Sequence, residues 1–352
     1  MVCIAAFIIL AIIGIFVAII SIFKREVGRT YLKMFKKAWG CLWKKVRLQK
    51  CETGFKDDVK NTILSRVIIK HPKWVKPLSI VIEVLSVVIV IIAVWALLTA
   101  IKSLLALWAL GSCNVTKPSA CTMGAEVCSI DESEPQNPIE ATGRWFTEWG
   151  EIFEAIPEKF KTYNAEDYEF NYVNANPGVG SDKPIAVDIF DPGCSVCMTS
   201  YRNQKEAGFF NDYNVRLVPF AIQDSDNNFK FKNSEIIVKY MIAADQVRSG
   251  LAVTLLDHIF TEYTKVNDTD MNFQNAFNNE YSHDEAVKQL EAWLKQANVN
   301  DDGIKEIRKI VDYPETANKM AKNRDIVENQ LKVKGIPTMI FDGARHTGLW
   351  KK

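Results

Sequence analysis

The stretch Ile185-Ala-Val-Asp-Ile-Phe-Asp-Pro-Gly-Cys-Ser-Val-Cys197 decides how the rest of the chain is read. Ile185 to Phe190 is a strand-like apolar run, and Pro192-Gly193 stops it. A Cys-x-x-Cys follows, and Met198 to Phe210 can continue as a helix. A helix start leaves N–H groups unpaired and carries the positive end of the dipole. A thiol placed there is stabilised as thiolate, which is the reactive species. Cys194 is therefore expected to be an exposed nucleophile, with Cys197 one turn further on to resolve its mixed disulfides. Ser195 and Val196, between them, and Asp188 on the strand are supporting residues; an acid buried there can accept a proton from Cys197. Asp191 reads equally as a solvated loop acid. The competing reading of the pair is a static disulfide or half of a metal site. No second cysteine pair completes a metal set, and His71, His258, His283 and His346 are scattered, so no metal and no cofactor is expected. His346 follows the last hairpin and reads best as a surface histidine.

The chain has 352 residues and a formal net charge of +1. Near-neutrality argues against nucleic-acid binding by the chain as a whole, but the charge is unevenly spread. Val2 to Phe23 is apolar without a charge, long enough for a bilayer that takes about 20 residues. No basic residue precedes it, which favours a retained span (1–23) over a cleaved leader. Residues 24–76 carry sixteen Lys and Arg against four acids, a net of +12. The positive-inside rule makes this a cytoplasmic loop, and its aromatic-basic stretch Tyr31 to Trp39 suits anionic lipid. A second span is expected over 77–110, with Lys102 snorkelling, Trp95 and Trp108 as interfacial anchors, and Glu83 near the cytoplasmic headgroups. The N-terminus and everything after Leu110 then lie outside the cytoplasm, on a plasma membrane.

The outer connection (111–164) begins with an irregular segment holding Cys113, Cys121 and Cys128 at spacings unlike a zinc site. In an oxidising compartment these thiols can pair. Three is odd: Cys3 can supply a fourth partner, or one disulfide and one free thiol result. Cys41 and Cys51, in the basic loop, stay reduced. Asn114-Val-Thr116 and Asn267-Asp-Thr269 match the glycosylation sequon, a pattern frequent by chance. Between Ala141 and Tyr163, Trp145, Phe146, Trp149, Ile152, Phe153, Ile156 and Phe160 form one helical stripe. It either packs on the following domain or lies on the outer leaflet.

From about residue 165 the pattern is α/β. Asp167–Val173 alternates like a strand, 176–184 is a loop, and Val215–Ile222 is a further strand. A mostly helical block spans about 233–331, with helices expected at Ser234–Arg248, Leu251–Lys265, Ser282–Ala297, Asp302–Val311 and Glu315–Lys332. Ser282 and Glu285 form a capping box. Val333-Lys-Gly-Ile-Pro-Thr338 follows, and Asp342-Gly343 makes a hairpin turn.

These residues resemble the DsbA-like thioredoxin-fold oxidoreductases. The carriers are Asn176-Pro-Gly-Val-Gly-Ser-Asp-Lys-Pro184 leading into the Cys-x-x-Cys strand, the helical insert, and the Gly335-Ile-Pro-Thr338 segment about 140 residues on. The resemblance covers about residues 165–348. It implies a thioredoxin-like fold with a helical insertion (domain 165–352), here preceded by two transmembrane helices. It implies a cis Pro337 beside the cysteines, with Ile336, Pro337 and Thr338 binding an extended substrate peptide by strand addition. Two departures stand out. Ser195-Val196 lacks the histidine of strongly oxidising members, and the closing C-terminal helix is short or absent; helix 141–163 is a candidate to cover that sheet face.

The expected function is thiol–disulfide exchange on protein cysteines outside the membrane, disulfide formation favoured over reduction or isomerisation. Turnover implies a membrane electron-transfer partner, a quinone-linked oxidase or a thiol-transfer protein, and by analogy a bacterial envelope. The alternative is a redox-inert peptide-binding or assembly module tethered to the bilayer.

Overall fold

The structure is a computed structural model of the whole chain. The described residues are 36, 39, 40, 43, 47, 75–121, 126–130, 135–176, 182–224 and 226–351. The expected first span (1–23), nearly all of the basic loop (24–76) and the Glu83 side chain lie outside them. Two compact units result, Met1–Ile101 and Lys102–Lys352.

Helix α1 (Val75–Leu110) is continuous over 36 residues. Its window Val87–Leu110 has a mean hydropathy of 2.5, and among the described residues it is the one helix long and apolar enough to cross a membrane. Lys102, expected to snorkel, instead is buried, forms an ion pair with Glu148, and lies 5.3 Å from the Trp145 ring. A lysine that loses water needs such a partner. Glu148 belongs to helix α2 (Pro138–Glu158), whose start is capped by Asn137 accepting from the Glu140 amide at 2.8 Å. The aromatic stripe of α2 divides. Ile152 and Ala155 pack on Ala106, Ala109 and Val115, whereas Phe146 and Phe153 stay more than half exposed.

The central sheet has the order β2 (Val173–Asn174), β4 (Asn214–Pro219), β3 (Ile185–Phe190), β8 (Thr338–Phe341), β9 (Ala344–Thr347). Strand β3 runs parallel to β4 and antiparallel to β8, with Asp188 opposite Met339 and Ile189 opposite Thr338. Its residues from Ala186 on are buried, as an apolar run in mid-sheet requires. Between β3 and β4 come α3 (Ser195–Glu206) and the single turn α4 (Phe209–Asp212). Between β4 and β8 lies the insert: α5 (Ser234–Val247), α6 (Leu251–Thr261), hairpin β5–β6 (Tyr263–Val266, Thr269–Asn272), α7 (Phe273–Asn275) with a wider turn to Glu280, α8 (His283–Gln296), α9 (Asp301–Val311) and α10 (Pro314–Asp325). This is a thioredoxin-like α/β fold with a helical insertion. The insert shares the main core: Phe260 of α6 packs edge-on against Phe190 of β3 and Tyr201 of α3, at 6.2 and 5.6 Å between ring centroids.

Three expected elements differ. The helix from Leu251 ends at Thr261, and Tyr263–Val266 is a strand instead. Tyr, Thr and Val favour strands, and Asn267-Asp268 both take left-handed backbone (φ 51° and 62°), the turn a two-residue hairpin needs. The strand expected over Asp167–Val173 shrinks to Val173–Asn174. The preceding backbone is tied to Asn323 of α10, which accepts from the Asn171 amide at 2.8 Å and donates to its carbonyl at 2.9 Å. The last insert helix stops at Asp325 and widens into a looser turn over Ile326–Gln330. The capping box of Ser282 and Glu285 and the turn at Asp342-Gly343, both of positive φ, stand as read.

The outer segment departs furthest from its reading as irregular. It holds a short 3-10 turn, Pro118–Ala120, and a strand β1 (Cys128–Ser129) that pairs antiparallel with β7 (Gly335–Ile336).

Candidate functional site

Cys194 is the N-cap of α3, and its Sγ faces the Cys197 amide at 3.4 Å. The junction is built from both sides. On the β3 side, Asp191 is fully buried and gathers three donors: the Gly193 amide and the Ile222 amide, each at 2.7 Å, and the Ser234 hydroxyl. It is a clamp on the turn rather than the solvated loop acid the sequence allowed. On the insert side, Gln274 donates to the carbonyls of Pro192 (3.0 Å) and Cys194 (2.9 Å), and Asn278 donates to that of Gly193 (2.8 Å). Gly193 has no room for a side chain, since a Cβ there would sit 2.4 Å from Cβ of Phe231. Gln274, Asn278, Ser234 and Phe231 escaped sequence reading, because amides and hydroxyls inside a helical block carry no pattern that marks their target.

Behind the junction lie two buried acids. Burial pushes Asp188 and Asp191 up to about 6, Asp188 against the hydrogen bond it accepts from Gln204 at 2.9 Å. Oδ1 of Asp188 has no hydrogen-bond partner among the described residues, whereas both carboxylate oxygens of Asp191 are engaged. The Cys197 thiol is buried and free, and burial, with the negative charges of Asp188 and Asp191, pushes its pKa well up.

The Gly335-Ile-Pro-Thr338 segment sits beside Cys194. The Ile336–Pro337 bond is cis, the Ile336 carbonyl oxygen lies 3.9 Å from Cys194 Sγ, and Ile336 and Thr338 are both buried. Thr338 donates to the Gly335 carbonyl at 2.8 Å and so braces the bend. Ser195 is exposed and Val196 half-buried, as the first turn of a helix facing outward. His346 is on β9, exposed, and stacked on Phe341 at 4.4 Å.

The disulfide pattern corrects the sequence reading. Cys194 is bonded to Cys128, not to Cys197, and it is 0 % exposed rather than an open nucleophile. Cys113 pairs with Cys121, so the odd outer cysteine finds its partner in the domain rather than in Cys3, which lies outside the described residues. The odd count was the available signal; the missing step was to let the outer segment reach the site. Cys128 stands opposite Ile336 and Ser129 opposite Gly335, and the Ile130 amide donates to the Lys334 carbonyl at 3.0 Å. Val127, Ser129 and Ile130 are buried with them. Gly335 permits the approach, since a Cβ there would lie 2.8 Å from Val127 Cγ2. Among the described residues no cluster of His, Cys, Asp and Glu is arranged to hold a metal.

No protein-family model matches the sequence, and no curated protein matches it. Solved structures do. The thiol-disulfide exchange protein alpha-DsbA2 of Wolbachia pipientis is 16% identical, covering 52% of this chain and 82% of its own, with a TM-score of 0.36. A thioredoxin-like oxidoreductase from Silicibacter pomeroyi is 14% identical over 54% of this chain and 91% of its own, also at 0.36. MdbA, a thiol-disulfide oxidoreductase from Corynebacterium diphtheriae, is 12% identical over 52% and 93%, at 0.34. Over about half its length the chain is thus similar to DsbA-like thiol-disulfide oxidoreductases, while its fold is read from the strand order and the cysteine–helix junction themselves.

Proposed function

We propose that the protein is a membrane-anchored, extracytoplasmic thiol:disulfide oxidoreductase acting on protein cysteines through Cys194 and Cys197. One observation carries this reading. The sulfur of Cys194 is bonded to a cysteine of an extended segment that lies in antiparallel register with Gly335-Ile336. A substrate peptide caught as a mixed disulfide needs that same arrangement: its cysteine on Cys194 and its backbone added to the free edge beside Pro337.

In this reading a substrate thiolate attacks Cys194 of a Cys194–Cys197 disulfide and Cys197 leaves; a second substrate thiolate then displaces Cys194. The substrate gains a disulfide and the pair takes up two electrons and two protons. The helix N-terminus stabilises Cys194 as thiolate, which makes it a good leaving group and favours disulfide formation. Cys197 needs a proton acceptor when it attacks and a donor when it leaves. Asp188, buried with one open oxygen and held by Gln204, supplies both near neutral pH. Ile336, Pro337 and Thr338 position the peptide, while Ser195 and Val196 face it. The reduced pair then passes its electrons to a membrane partner, a quinone-linked oxidase or a thiol-transfer protein.

The anchor is α1. Its 24 residues from Leu78 to Ile101 extend about 36 Å, enough for a hydrocarbon core of about 30 Å. The +12 segment before it favours a cytoplasmic side there and an outer side for the domain. Phe146 and Phe153 on α2, exposed at 60% and 57%, suit contact with the outer leaflet.

A second reading keeps the fold and drops the chemistry: a peptide-binding module whose Cys128–Cys194 bond is structural. The complete burial of Cys194 favours it. Oxidation of a two-cysteine peptide separates the readings. Full-length protein in detergent micelles, with glutathione disulfide as terminal oxidant, is expected to turn the peptide over many times, and Cys194→Ala to fall to background. Equal rates with and without Cys194 support the inert module.

A further inference from the structure

The proposed chemistry uses two cysteines, yet three meet at the site. The third belongs to a strap, Glu126 to Ile130, laid over the site from outside the thioredoxin-like part of the chain. The strap fills the peptide position: its Cys128 holds Cys194, and its backbone occupies the edge of Gly335-Ile336.

Besides the burial of Val127, Ser129 and Ile130, its other ties are a few hydrogen bonds. The Leu349 amide donates to the Glu126 carbonyl at 2.9 Å, and the Lys230 ammonium donates to the Ser129 carbonyl at 3.0 Å. The neighbouring disulfide, Cys113–Cys121, closes a loop within the outer segment and does not fasten it to the sheet. A cavity of about 30 Å³ beside the strap lies between residues 110–118 and the sheet, lined by Val115, Pro118, Val127, Gly335 and Thr347 among others. Once the Cys128–Cys194 bond opens, no covalent link keeps the strap in the groove. Cys197 is the only free thiol among the described residues, and it lies on the first turn of α3, its backbone amide 3.4 Å from Cys194 Sγ.

We propose that Cys128 is a third exchanging cysteine, an in-chain substitute for substrate whose disulfide with Cys194 caps the peptide groove until Cys197 displaces it. This rests on the exchange proposed for Cys194. The Cys197 thiolate attacks Sγ of Cys194. The Cys194–Cys197 bond forms as the Cys128–Cys194 bond breaks, and the electron pair leaves on the Cys128 sulfur. The proton lost at Cys197 is matched by the one gained at Cys128. One disulfide is present before and after, so no oxidant or reductant is consumed. The strap then leaves the Gly335-Ile336 edge, and an external cysteine peptide takes its place.

The test maps disulfides in full-length protein in micelles, equilibrated in glutathione buffers, acid-quenched, alkylated and digested. Two one-bond forms among the three cysteines are expected, Cys128–Cys194 and Cys194–Cys197. Their ratio stays constant as the glutathione ratio is varied, because the conversion moves no net electrons. Cys197→Ser slows opening of the Cys128–Cys194 bond by dithiothreitol at least tenfold, and Cys128→Ser speeds the first turnover of a two-cysteine peptide by a similar factor. The inference is overturned if Cys128 is alkylated in every buffer, or if Cys128–Cys194 is the sole form and opens as fast in Cys197→Ser as in wild type. In either case peptide turnover that still depends on Cys194 leaves the oxidoreductase reading standing. No turnover even in Cys128→Ser removes that reading instead.

Discussion

Two regions meet at Cys194 and are held by different forces. The junction between β3 and α3 is fixed by packing: buried strand residues, the three donors on Asp191, the amides of Gln274 and Asn278, and a glycine pressed against Phe231. The strap is fixed by a disulfide, a two-residue ladder, a few part-buried hydrogen bonds and the burial of three side chains, Val127, Ser129 and Ile130. A densely packed element resists local opening up to the global stability, whereas one with few buried contacts opens at little cost. Cys194 therefore stands on the more densely tied part, and the Cys128 that covers it stands on the part with fewer ties. That division suits a site that must keep its geometry while exchanging occupants.

The comparison breaks first at the rigid side. Asp191→Ala leaves two buried amides and a hydroxyl without their acceptor. At about 1–3 kcal/mol for each buried group left unsatisfied, it is expected to lower unfolding free energy by more than 3 kcal/mol, read from a urea melt. Gly193→Ala forces a methyl against Phe231 and is expected to cost about 1–3 kcal/mol in the same melt.

Asp188 gives a pH signature. Its carboxyl titrates at about 6 in the folded protein, above the ordinary 3.8, so the native state binds the proton more tightly than the unfolded chain. Its stabilising contribution is complete below about pH 4 and is lost as pH rises to about 6. Two units correspond to on the order of 2–3 kcal/mol. Asp188→Asn is expected to flatten the pH dependence of unfolding over that window by about this amount, with the Asp191 share remaining. An unchanged slope would remove Asp188 as a proton store.

On the loose side the effects are smaller. Gly335→Ala places a methyl 2.8 Å from Val127 Cγ2 and weakens strap docking. A loss of about 1.4 kcal/mol is tenfold in an equilibrium, so the Cys128–Cys194 bond is expected to be reduced at roughly tenfold lower dithiothreitol, with the melting curve little moved. A large drop in global stability would show that the strap belongs to the rigid core.

The rigid part was the legible part. Ile185 to Cys197 announces its strand, turn and helix because an apolar run, Pro-Gly and a paired cysteine spacing each have local causes. The Asp342-Gly343 turn is readable for the same reason, and Val333 to Thr338 through its resemblance to the DsbA-like segment. The strap was not. Val127, Cys128, Ser129 and Ile130 form too short a run for any period to register, and their pairing with Gly335-Ile336 spans two hundred residues. Cys194 was paired with Cys197 alone because sequence proximity favours it, while folded proximity also brings Cys128. Asp191 was misjudged because its partners, Ile222 and Ser234, arrive from the stretch after β4 and from α5. Lys102 was assigned to the interface before its partner Glu148 on α2 could be known.

The central claim is that Cys194 takes up an external cysteine peptide in the place the strap now holds. Full-length protein carrying Cys128→Ser and Cys197→Ala together, which neither caps nor resolves, tests it most directly. Incubated with a single-cysteine peptide activated as its mixed disulfide with 2-nitro-5-thiobenzoate, it is expected to give a stable adduct at Cys194, besides any at Cys3, Cys41 and Cys51. Peptide mapping places the bond at Cys194, and prior Cys194→Ala abolishes it. No adduct at Cys194, with adducts at Cys3, Cys41 or Cys51 alone or none at all, would contradict the account.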